Sequence, residues 1–413
     1  MKYIHPKRIK NSLNQWALRN KLSSNYSHII RRLIKKVGKE KIRVVFYTNE
    51  PQKWSYDSLY REFEKSDYFK PLIVVVPRFR VHKGLDNTRM SLEEQLDFYK
   101  KRDYNVVSGY ENGEYVDIRT FAPDIFFYLQ LAEVPGIDDP FVVSKVALTC
   151  YCPYSFQVAD FGKDYLQTFH KYLFRYYVVH DITKNRFEQY RDGNSSNCVV
   201  VGYPKLDAYS KKRSLLPEKY WKSPEKFKII YAPHHSFNDT FRFSTFPKTF
   251  TIIRELANTA DTTWVFKPHP MLKLSILKSG LMNEDEMNKY YESWNEVGRV
   301  YDSGDYFDLF QTSDMMITDC SSFLAEYLPS EKPLVRLINE GSCPLDQLGE
   351  SLSRGFYSVH DKKELYSVFD ELVVKKNDYL KKTRKEVLGS LIDEKKPAAN
   401  KVFDDLKIVL RID

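Results

Sequence analysis

Histidine and lysine side chains follow two short apolar runs in the C-terminal half of the sequence. His234 and His235 come directly after residues 229–232, and Lys267 and His269 alternate with prolines after a second run. Proline fixes the backbone φ angle, so these cations would be held in place before an anion arrives. The pattern predicts an anion site with His234, His235 and His269 as candidate catalytic groups. Hydrogen-bonded structural histidines remain the alternative.

A third motif, SDMMITDCSSFLAEYL at residues 313–328, has the composition of a strand, a tight turn and a helix. The first amide N–H groups of a helix have no partner within it, and the helix dipole is positive there. Ser321 and Ser322 would add two hydroxyl groups at that point, which suits a phosphate or pyrophosphate. In the alternative interpretation, Asp319 and Ser321 cap an ordinary helix.

The elements that must position these residues alternate between strand and helix patterns. Continuous apolar strands separated by helices predict parallel sheets covered on both faces. The predicted class is α/β, with two Rossmann-like doubly wound domains that face a cleft, and with ligand sites at the carboxyl ends of strands. Strands are predicted at 44–47, 72–76, 104–107, 125–129, 145–151, 176–179, 198–202, 228–232, 263–266, 315–318 and 334–338. Helices are predicted at 56–65, 91–102, 248–257, 362–374, 379–389 and 398–410.

The charged segment at residues 211–226, with Pro217 and Pro224, breaks this alternation and is typical of an interdomain linker. The expected division is an arm at 1–42, an N-terminal acceptor domain at 43–212 and a C-terminal donor-nucleotide domain at 213–395. A final helix at 396–413 is expected to pack back toward the N-terminal domain.

The positive net charge of the chain lies in its N-terminal arm. Residues 1–43 hold 13 of the 64 Lys and Arg residues and one of the 55 Asp and Glu residues, so the remainder carries −3. Apolar residues from Tyr26 to Val37 recur at helical spacing, with Arg31, Arg32, Lys35 and Lys36 opposite them. This basic amphipathic arm predicts contact with an anionic membrane surface through residues 1–38. Packing on the protein body is the alternative, and nucleic acid is not expected because base-stacking aromatics are not interleaved with the charges.

Several other classes of site are disfavoured by the sequence. The five cysteines are odd in number and form no CxxC pair, so neither a zinc site nor a disulfide framework is indicated. No HxH or HxxxH spacing with a matching carboxylate predicts a metal site. No apolar run approaches the roughly 20 residues of a membrane span, and no signal-peptide pattern opens the chain. We expect a cytoplasmic protein, peripheral on the inner face of the cell membrane.

Five motifs together carry a family resemblance. They are GYPKLD at 202–207, APHHS at 232–236, KPHP at 267–270, TDCSSFLAEYL at 318–328 and KPLV at 332–335. The set resembles the CDP-glycerol:poly(glycerophosphate) glycerophosphotransferase family of teichoic-acid and capsule primases and polymerases, over roughly residues 145–340. The resemblance implies a GT-B fold, a donor held mainly by the C-terminal domain and peripheral membrane association.

The resemblance also implies roles for single residues. The KPHP-type histidine, His269, would contact the donor phosphates, and Ser321 and Ser322 would bind the pyrophosphate. Asp319 would hold the turn, and Glu326 would bind the nucleotide ribose. Lys267 and the helix dipole would take the place of a metal ion, so no metal and no cofactor besides the donor are expected.

One departure from the family concerns the general base. Polymerases of the family carry a His-Gly motif in the N-terminal domain, whereas residues 150–156 here read CYCPYSF. His234 or His235 would then serve as the base, with Asp160 and His170 as weaker candidates.

The resulting hypothesis is a transferase that moves a polyol-phosphate unit. Glycerol phosphate would pass from CDP-glycerol to a glycan or lipid-linked acceptor, with release of CMP. One alternative is a GT-B glycosyltransferase that uses CMP-sialic acid or a UDP-sugar for a capsule or lipooligosaccharide. Another is a non-catalytic, membrane-associated component of an envelope assembly complex.

Overall fold

The computed structural model describes residues 6–80, 84–85, 90–134, 136–160, 162, 168–190, 195–210, 215–237, 241–302, 306–389, 391 and 396–413. The first residues of the predicted linker, 211–214, lie outside this set. The chain divides into two compact units. Unit 1 comprises residues 1–154, 163–207 and 395–413, and unit 2 comprises residues 155–162 and 208–394.

Unit 1 contains a seven-stranded, all-parallel sheet in the order β11-β10-β9-β8-β1-β2-β5. The strands of unit 1 are β1 (Ile42–Thr48), β2 (Phe69–Val75), β3 (Phe79–Arg80), β4 (Gly84–Leu85), β5 (Val106–Ser108), β6 (Tyr110–Glu111), β7 (Glu114–Tyr115), β8 (Ile125–Tyr128), β9 (Leu148–Tyr151), β10 (Arg175–Val178) and β11 (Cys198–Val200). Seven of these strands form the large sheet, and the other four form two antiparallel pairs, β3-β4 and β6-β7. The helices of this unit are α1 (Pro6–Lys36), α2 (Asp57–Lys65), α3 (Leu92–Lys100), α4 (Pro140–Val143), α5 (Thr168–Tyr172), α6 (Asp181–Tyr190) and α15 (Ala398–Leu410).

Unit 2 contains a six-stranded, all-parallel sheet in the order β14-β13-β12-β15-β16-β17. Its strands are β12 (Phe227–Ala232), β13 (Thr262–Phe266), β14 (Gly298–Val300), β15 (Met315–Thr318), β16 (Leu334–Leu337) and β17 (Tyr357–Val359). Its helices are α7 (Phe246–Leu256), α8 (Leu272–Ser279), α9 (Glu284–Val297), α10 (Phe307–Thr312), α11 (Ser321–Glu326), α12 (Gln347–Ser353), α13 (Lys362–Phe369) and α14 (Lys381–Gly389).

The central strands are buried along their whole length because helices cover both faces of each sheet. All residues of β8, β9, β13 and β15 are buried. The predicted α/β class with two parallel, Rossmann-like sheets is therefore confirmed. Helix α15 has the bounds that the sequence predicted, and α3 begins with a capping box in which Ser91 and Glu94 are bonded reciprocally.

The apolar face of α1 belongs to the core of unit 1. Leu22, Tyr26, Ile29 and Leu33 are buried in a cluster with residues of the sheet and of α15. The Tyr26 hydroxyl also contacts the Thr149 hydroxyl at 2.5 Å. The alternative of packing on the protein body therefore holds for this face, and contact of residues 1–38 with an anionic membrane stays a prediction. None of the helices in the described ranges has an apolar stretch long enough to cross a bilayer.

Two segments are held within their own units by hydrogen bonds from backbone N–H groups. In unit 1, the Asp207 carboxylate accepts the N–H groups of Ala398 and Ala399 at 2.9 Å each, which holds the start of α15. In unit 2, residues 155–162 pair with the loop before α12 through an antiparallel bridge between Ala159 and Leu345. The carbonyl of Val158 accepts the Asp346 N–H at 2.9 Å.

Candidate functional site

Three neighbouring strands of unit 2 bring the predicted motifs to one edge of the sheet. Strand β12 lies between β13 and β15, and all three run in the same direction. The chain fills one side of β12 with β13 and β14 and then returns to its other side with β15. This reversal of strand order is the topological switch point at which open α/β sheets bind ligands. The loops that follow these three strands carry the histidines, Lys267 and the paired serines.

The three predicted catalytic histidines form one cluster. Ring centroids lie 4.4 Å apart for His234 and His235, 4.9 Å apart for His234 and His269, and 4.1 Å apart for His235 and His269. One ring nitrogen of each lies within 4.8 Å of the others. The loops are locked together by the His269 N–H, which donates to the Pro233 carbonyl at 3.0 Å.

Two of these rings are held by the backbone of their own loops. The Ser236 N–H donates to Nδ1 of His234 at 3.1 Å, and the Met271 N–H donates to Nδ1 of His269 at 3.1 Å. The Ser236 hydroxyl lies 2.7 Å from the same nitrogen of His234. Burial lowers the pKa of His234 to about 3, and the neighbouring His235 lowers it as well. His234 is therefore a neutral imidazole over the physiological pH range.

Lys267 is a buried cation surrounded by aromatic rings. Its Nζ lies 4.9 Å from the ring centroid of Tyr306 and 5.7 Å from those of Tyr301 and Phe323. Aromatic faces stabilise an ammonium group through their quadrupoles, more strongly when water is excluded. The lysine consequently stays at the end of β13 as a fixed positive charge.

Asp319 connects the ends of β12 and β15 and does not cap α11. Its carboxylate accepts the N–H of His234 at 2.5 Å, and the N–H and hydroxyl of Thr245 at 2.6 and 2.9 Å. Burial raises the pKa of Asp319 to about 6, although these hydrogen bonds lower it. The residue at the N-cap position of α11 is Cys320, which makes no side-chain capping bond. The prediction that Asp319 holds the turn thus has a physical basis in contacts with two distant loops.

The paired serines lie at the start of α11 and are partly exposed. The Ser322 hydroxyl is 3.5 Å from the Cys320 sulfur, and the Phe323 N–H donates to the Cys320 carbonyl at 3.1 Å. The Ser321 hydroxyl makes no hydrogen bond to another residue that the structure describes. Both hydroxyl groups thus lie at the switch point and retain hydrogen-bonding capacity for a ligand.

Glu326, the predicted ribose ligand, is buried at the end of α11. Its carboxylate accepts the Tyr306 hydroxyl and lies 3.5 Å from the Phe156 N–H. The same tyrosine ring contacts Lys267, so the carboxylate helps to fix the aromatic cage. Its contact with a ribose stays a prediction.

The two weaker base candidates lie elsewhere. His170 is buried in unit 1, where its ring packs against Phe169, Tyr176 and Phe187. The Asp160 carboxylate accepts the Gly162 N–H at 3.0 Å in the segment that pairs with the loop before α12.

Two residues close to the predicted motifs, Thr245 and Arg336, were not among the residues predicted from the sequence. Thr245 binds Asp319 across 74 residues of sequence, a separation that no local pattern reveals. Arg336 directly follows the KPLV motif and lines a small recess with Ser321 and Asn339. Burial lowers the pKa of its guanidinium group. The guanidinium makes no hydrogen bond to another described residue. Its position beside a recognised motif was the available signal.

The solved structures most useful for comparison are nucleotide-sugar enzymes and a polymerase. A putative UDP-N-acetylglucosamine 2-epimerase from Listeria monocytogenes has 13% identity, covers 89% of this chain and 96% of its own, and has a TM-score of 0.59. S. aureus MnaA with UDP has 14% identity, coverages of 91% and 98%, and a TM-score of 0.59. A variant of the wall teichoic acid polymerase TagF has 13% identity, coverages of 97% and 99%, and a TM-score of 0.55. At such identities the likeness shows the fold, and it confirms the predicted GT-B architecture.

Sequence comparison finds a similar family. No curated protein matches the chain. Residues 164–342 match the model of the family described as CDP-Glycerol:Poly(glycerophosphate) glycerophosphotransferase, and this range contains the predicted histidines, Lys267, Asp319, the paired serines and Glu326. The match confirms the resemblance found from the motifs and supports an enzyme of the transferase class. Over residues 164–342, this chain is similar to the CDP-glycerol:poly(glycerophosphate) glycerophosphotransferase family.

Proposed function

We propose that this enzyme transfers glycerol phosphate from CDP-glycerol to a glycan or lipid-linked acceptor in the synthesis of a teichoic-acid-like polymer. The acceptor hydroxyl oxygen forms a bond to the β-phosphorus of the donor. The bond between that phosphorus and the bridging oxygen breaks, and CMP leaves with the bonding electron pair. The acceptor proton passes to a base, for which His235 is the candidate in the histidine cluster.

The observation that carries this proposal is the meeting of three motifs of the matched family at the switch point of unit 2. Lys267 supplies a fixed charge, His269 and His234 supply ring N–H groups, and Ser321 and Ser322 supply hydroxyls. Phosphoryl transfer requires such groups because negative charge spreads over the phosphate oxygens in the transition state. We propose that the serines bind the pyrophosphate and that the lysine offsets its charge.

The same groups support a reaction without a metal ion in the histidine cluster. A metal-bound imidazole needs a free lone pair on one nitrogen and a proton on the other. In His234 and His269 the Nδ1 lone pair already receives a backbone N–H. The only proton of each neutral ring is therefore on Nε2, and a metal ion could bind there only if that proton were lost. The arrangement favours Nε2–H as a hydrogen-bond donor over Nε2 as a metal ligand.

The donor is tested by nucleotide release. Purified enzyme is incubated with a lipid-linked acceptor and, in turn, with CDP-glycerol, CDP-ribitol, CMP-sialic acid and UDP-N-acetylglucosamine, and the nucleotides are separated by chromatography. We expect CMP from CDP-glycerol, with incorporation of glycerol phosphate into the acceptor. Release of UDP, or of CMP from CMP-sialic acid alone, would instead establish a sugar transferase.

We also propose that the enzyme is peripheral on the inner face of the cell membrane and that the basic face of α1 makes the contact. Arg31 and Lys35 are exposed on this helix, and Lys39 is exposed in the turn that follows it. Lys35 and Lys39 line an open groove of about 570 Å³ with Arg32, Lys36 and Arg119. Because the apolar face is buried, the attraction would be electrostatic and would weaken as salt is added.

Charge substitutions test this contact better than deletion of the arm, which would remove core residues. The variant carries Arg31→Gln, Lys35→Gln and Lys39→Gln, and the matched control carries Lys363→Gln, Lys381→Gln and Lys382→Gln. Each basic residue near an anionic surface contributes about 1 kcal/mol, so three losses weaken vesicle binding on the order of 100-fold. Equal binding of both variants to phosphatidylserine vesicles would refute the assignment.

A further inference from the structure

The rings of His234 and His269 share one local arrangement that fixes where their protons lie. In each, the backbone N–H two residues later donates to Nδ1 at 3.1 Å. An N–H group can only donate, so Nδ1 must accept and carries no proton. The single proton of the neutral ring is then on Nε2, and that nitrogen has no lone pair with which to accept another.

A second contact strengthens this arrangement at His234. The Ser236 hydroxyl lies 2.7 Å from Nδ1, and its oxygen accepts the Phe243 N–H at 3.2 Å. Because Nδ1 accepts the Ser236 N–H and carries no proton, the proton in this contact is that of the hydroxyl group. Ser236 is buried, so this contact is part of the folded loop and not an exposed nucleophile and base.

Charging the cluster would be costly for two reasons. A proton added at Nδ1 would face the backbone N–H, and a charged ring would lie within 5 Å of two other histidine rings. Asp319, which is adjacent, directs its carboxylate oxygens to backbone N–H groups and the Thr245 hydroxyl. The rings are thus suited to donate hydrogen bonds while neutral.

We propose that His234 and His269 act as a pair of neutral Nε2–H donors to the phosphate oxygens of the donor, that His234 is not the general base, and that Ser236 is its positioning residue. This inference rests on the transfer reaction proposed above and assigns a binding role to His234. Of the three predicted catalytic histidines, His235 alone then keeps the role of base.

The proton positions are measured directly by ring-¹⁵N NMR of the full-length enzyme with labelled histidine. Signals are assigned by their loss in His234→Gln, His269→Gln and His180→Gln. His180 is an internal reference, because the Ile182 N–H donates to its Nδ1 at 3.1 Å in unit 1. At pH 7.5 we expect the Nε2–H form in all three residues. An Nδ1–H form in His234 or His269 would overturn the proposal.

Binding is read from the same spectra as CDP-glycerol is added. The Nε2–H signals of His234 and His269 should shift to saturation, and the signal of His180 should not. No shift at saturating CDP-glycerol would overturn the donor role. This readout does not require turnover, so a wild-type enzyme that binds CDP-glycerol but releases no CMP would refute the proposed transfer separately.

Turnover of two variants separates a donor from a base. The side-chain amide of glutamine reaches the position of Nε2, whereas that of asparagine reaches only that of Nδ1. His234→Gln should therefore retain turnover within about 10-fold, while His234→Asn loses on the order of 100-fold, as expected for one hydrogen bond to a charged group. Equal, severe losses in both variants would identify a base and overturn the proposal. His180→Gln is the control and should leave turnover unchanged.

Discussion

Replacement of His234 by glutamine should make the enzyme less sensitive to acid. The folded pKa of His234 is about 3, whereas an unfolded histidine titrates near 6.5. The unfolded chain therefore binds this proton more readily than the folded chain. The contribution to stability is fully present above about pH 6.5 and is lost as the pH falls toward about 3.

The size of the effect follows from the two pKa values. A pH of 5 is about 1.5 units below the pKa of the unfolded histidine. Each unit corresponds to about 1.36 kcal/mol, so the free energy of unfolding falls by about 2 kcal/mol. Asp319 acts in the opposite direction between about pH 4 and 6, because its folded pKa is raised to about 6. Its carboxylate is present in the wild type and in the variant, so the comparison between them isolates His234 from Asp319 and from the neighbouring His235 and His269.

Urea unfolding at pH 7.5 and pH 5 provides the measurement. Three of the five tryptophans, Trp221, Trp264 and Trp294, are buried in unit 2 and report its unfolding by fluorescence. The wild type should lose about 2 kcal/mol more than His234→Gln between the two pH values. If both proteins lose the same free energy of unfolding, the neutral, desolvated state assigned to His234 is refuted.

Three further substitutions test separate parts of the structure. Ser321→Ala should lower turnover more than about 10-fold with an unchanged melting temperature, because only a ligand contact is removed; near-normal turnover would contradict the pyrophosphate role. Lys267→Met should keep the fold, since a thioether suits the aromatic cage, but lower turnover on the order of 100-fold; a normal rate in the steady-state assay would exclude the lysine as the charge that offsets the phosphates. Leu33→Ala should destabilise unit 1 by about 2–5 kcal/mol, because this side chain is 0% exposed; unchanged denaturant unfolding would argue against the packing of α1.

The elements that the sequence predicted best are those whose whole length is apolar or capped by local signals. Strand β15 and helix α15 have the predicted bounds. The strand is buried on both faces, and the apolar residues of the helix recur at strict helical spacing, so each pattern fits only one type of element. Helix α9 was missed, although Asn283 and Glu286 form a capping box at its start. That signal was present in the sequence and had no neighbouring motif to draw attention to it.

Other features depend on contacts that sequence patterns do not encode. An apolar helix face suits a membrane or a protein core equally well, and only the packing of Ile29 and Leu33 distinguishes them. The partners of Asp319 are 85 and 74 residues away, so the residue was interpreted as a possible cap. The proton positions in the histidine cluster depend on which backbone N–H groups the loops direct toward Nδ1.

The small segment at residues 155–162 affects how this enzyme can be dissected. It leaves unit 1, pairs Ala159 with Leu345 in unit 2, and the chain then returns to unit 1. A fragment that begins at residue 208 and ends at 394 would lack this segment, and the Asp346 N–H would lose the Val158 carbonyl that it now binds. Gly349 would lose its close neighbour as well, since a Cβ there would stand 2.2 Å from that carbonyl oxygen. Unit 2 is therefore not a portable module, and exchange of this unit between relatives would have to carry residues 155–162 along with residues 208–394.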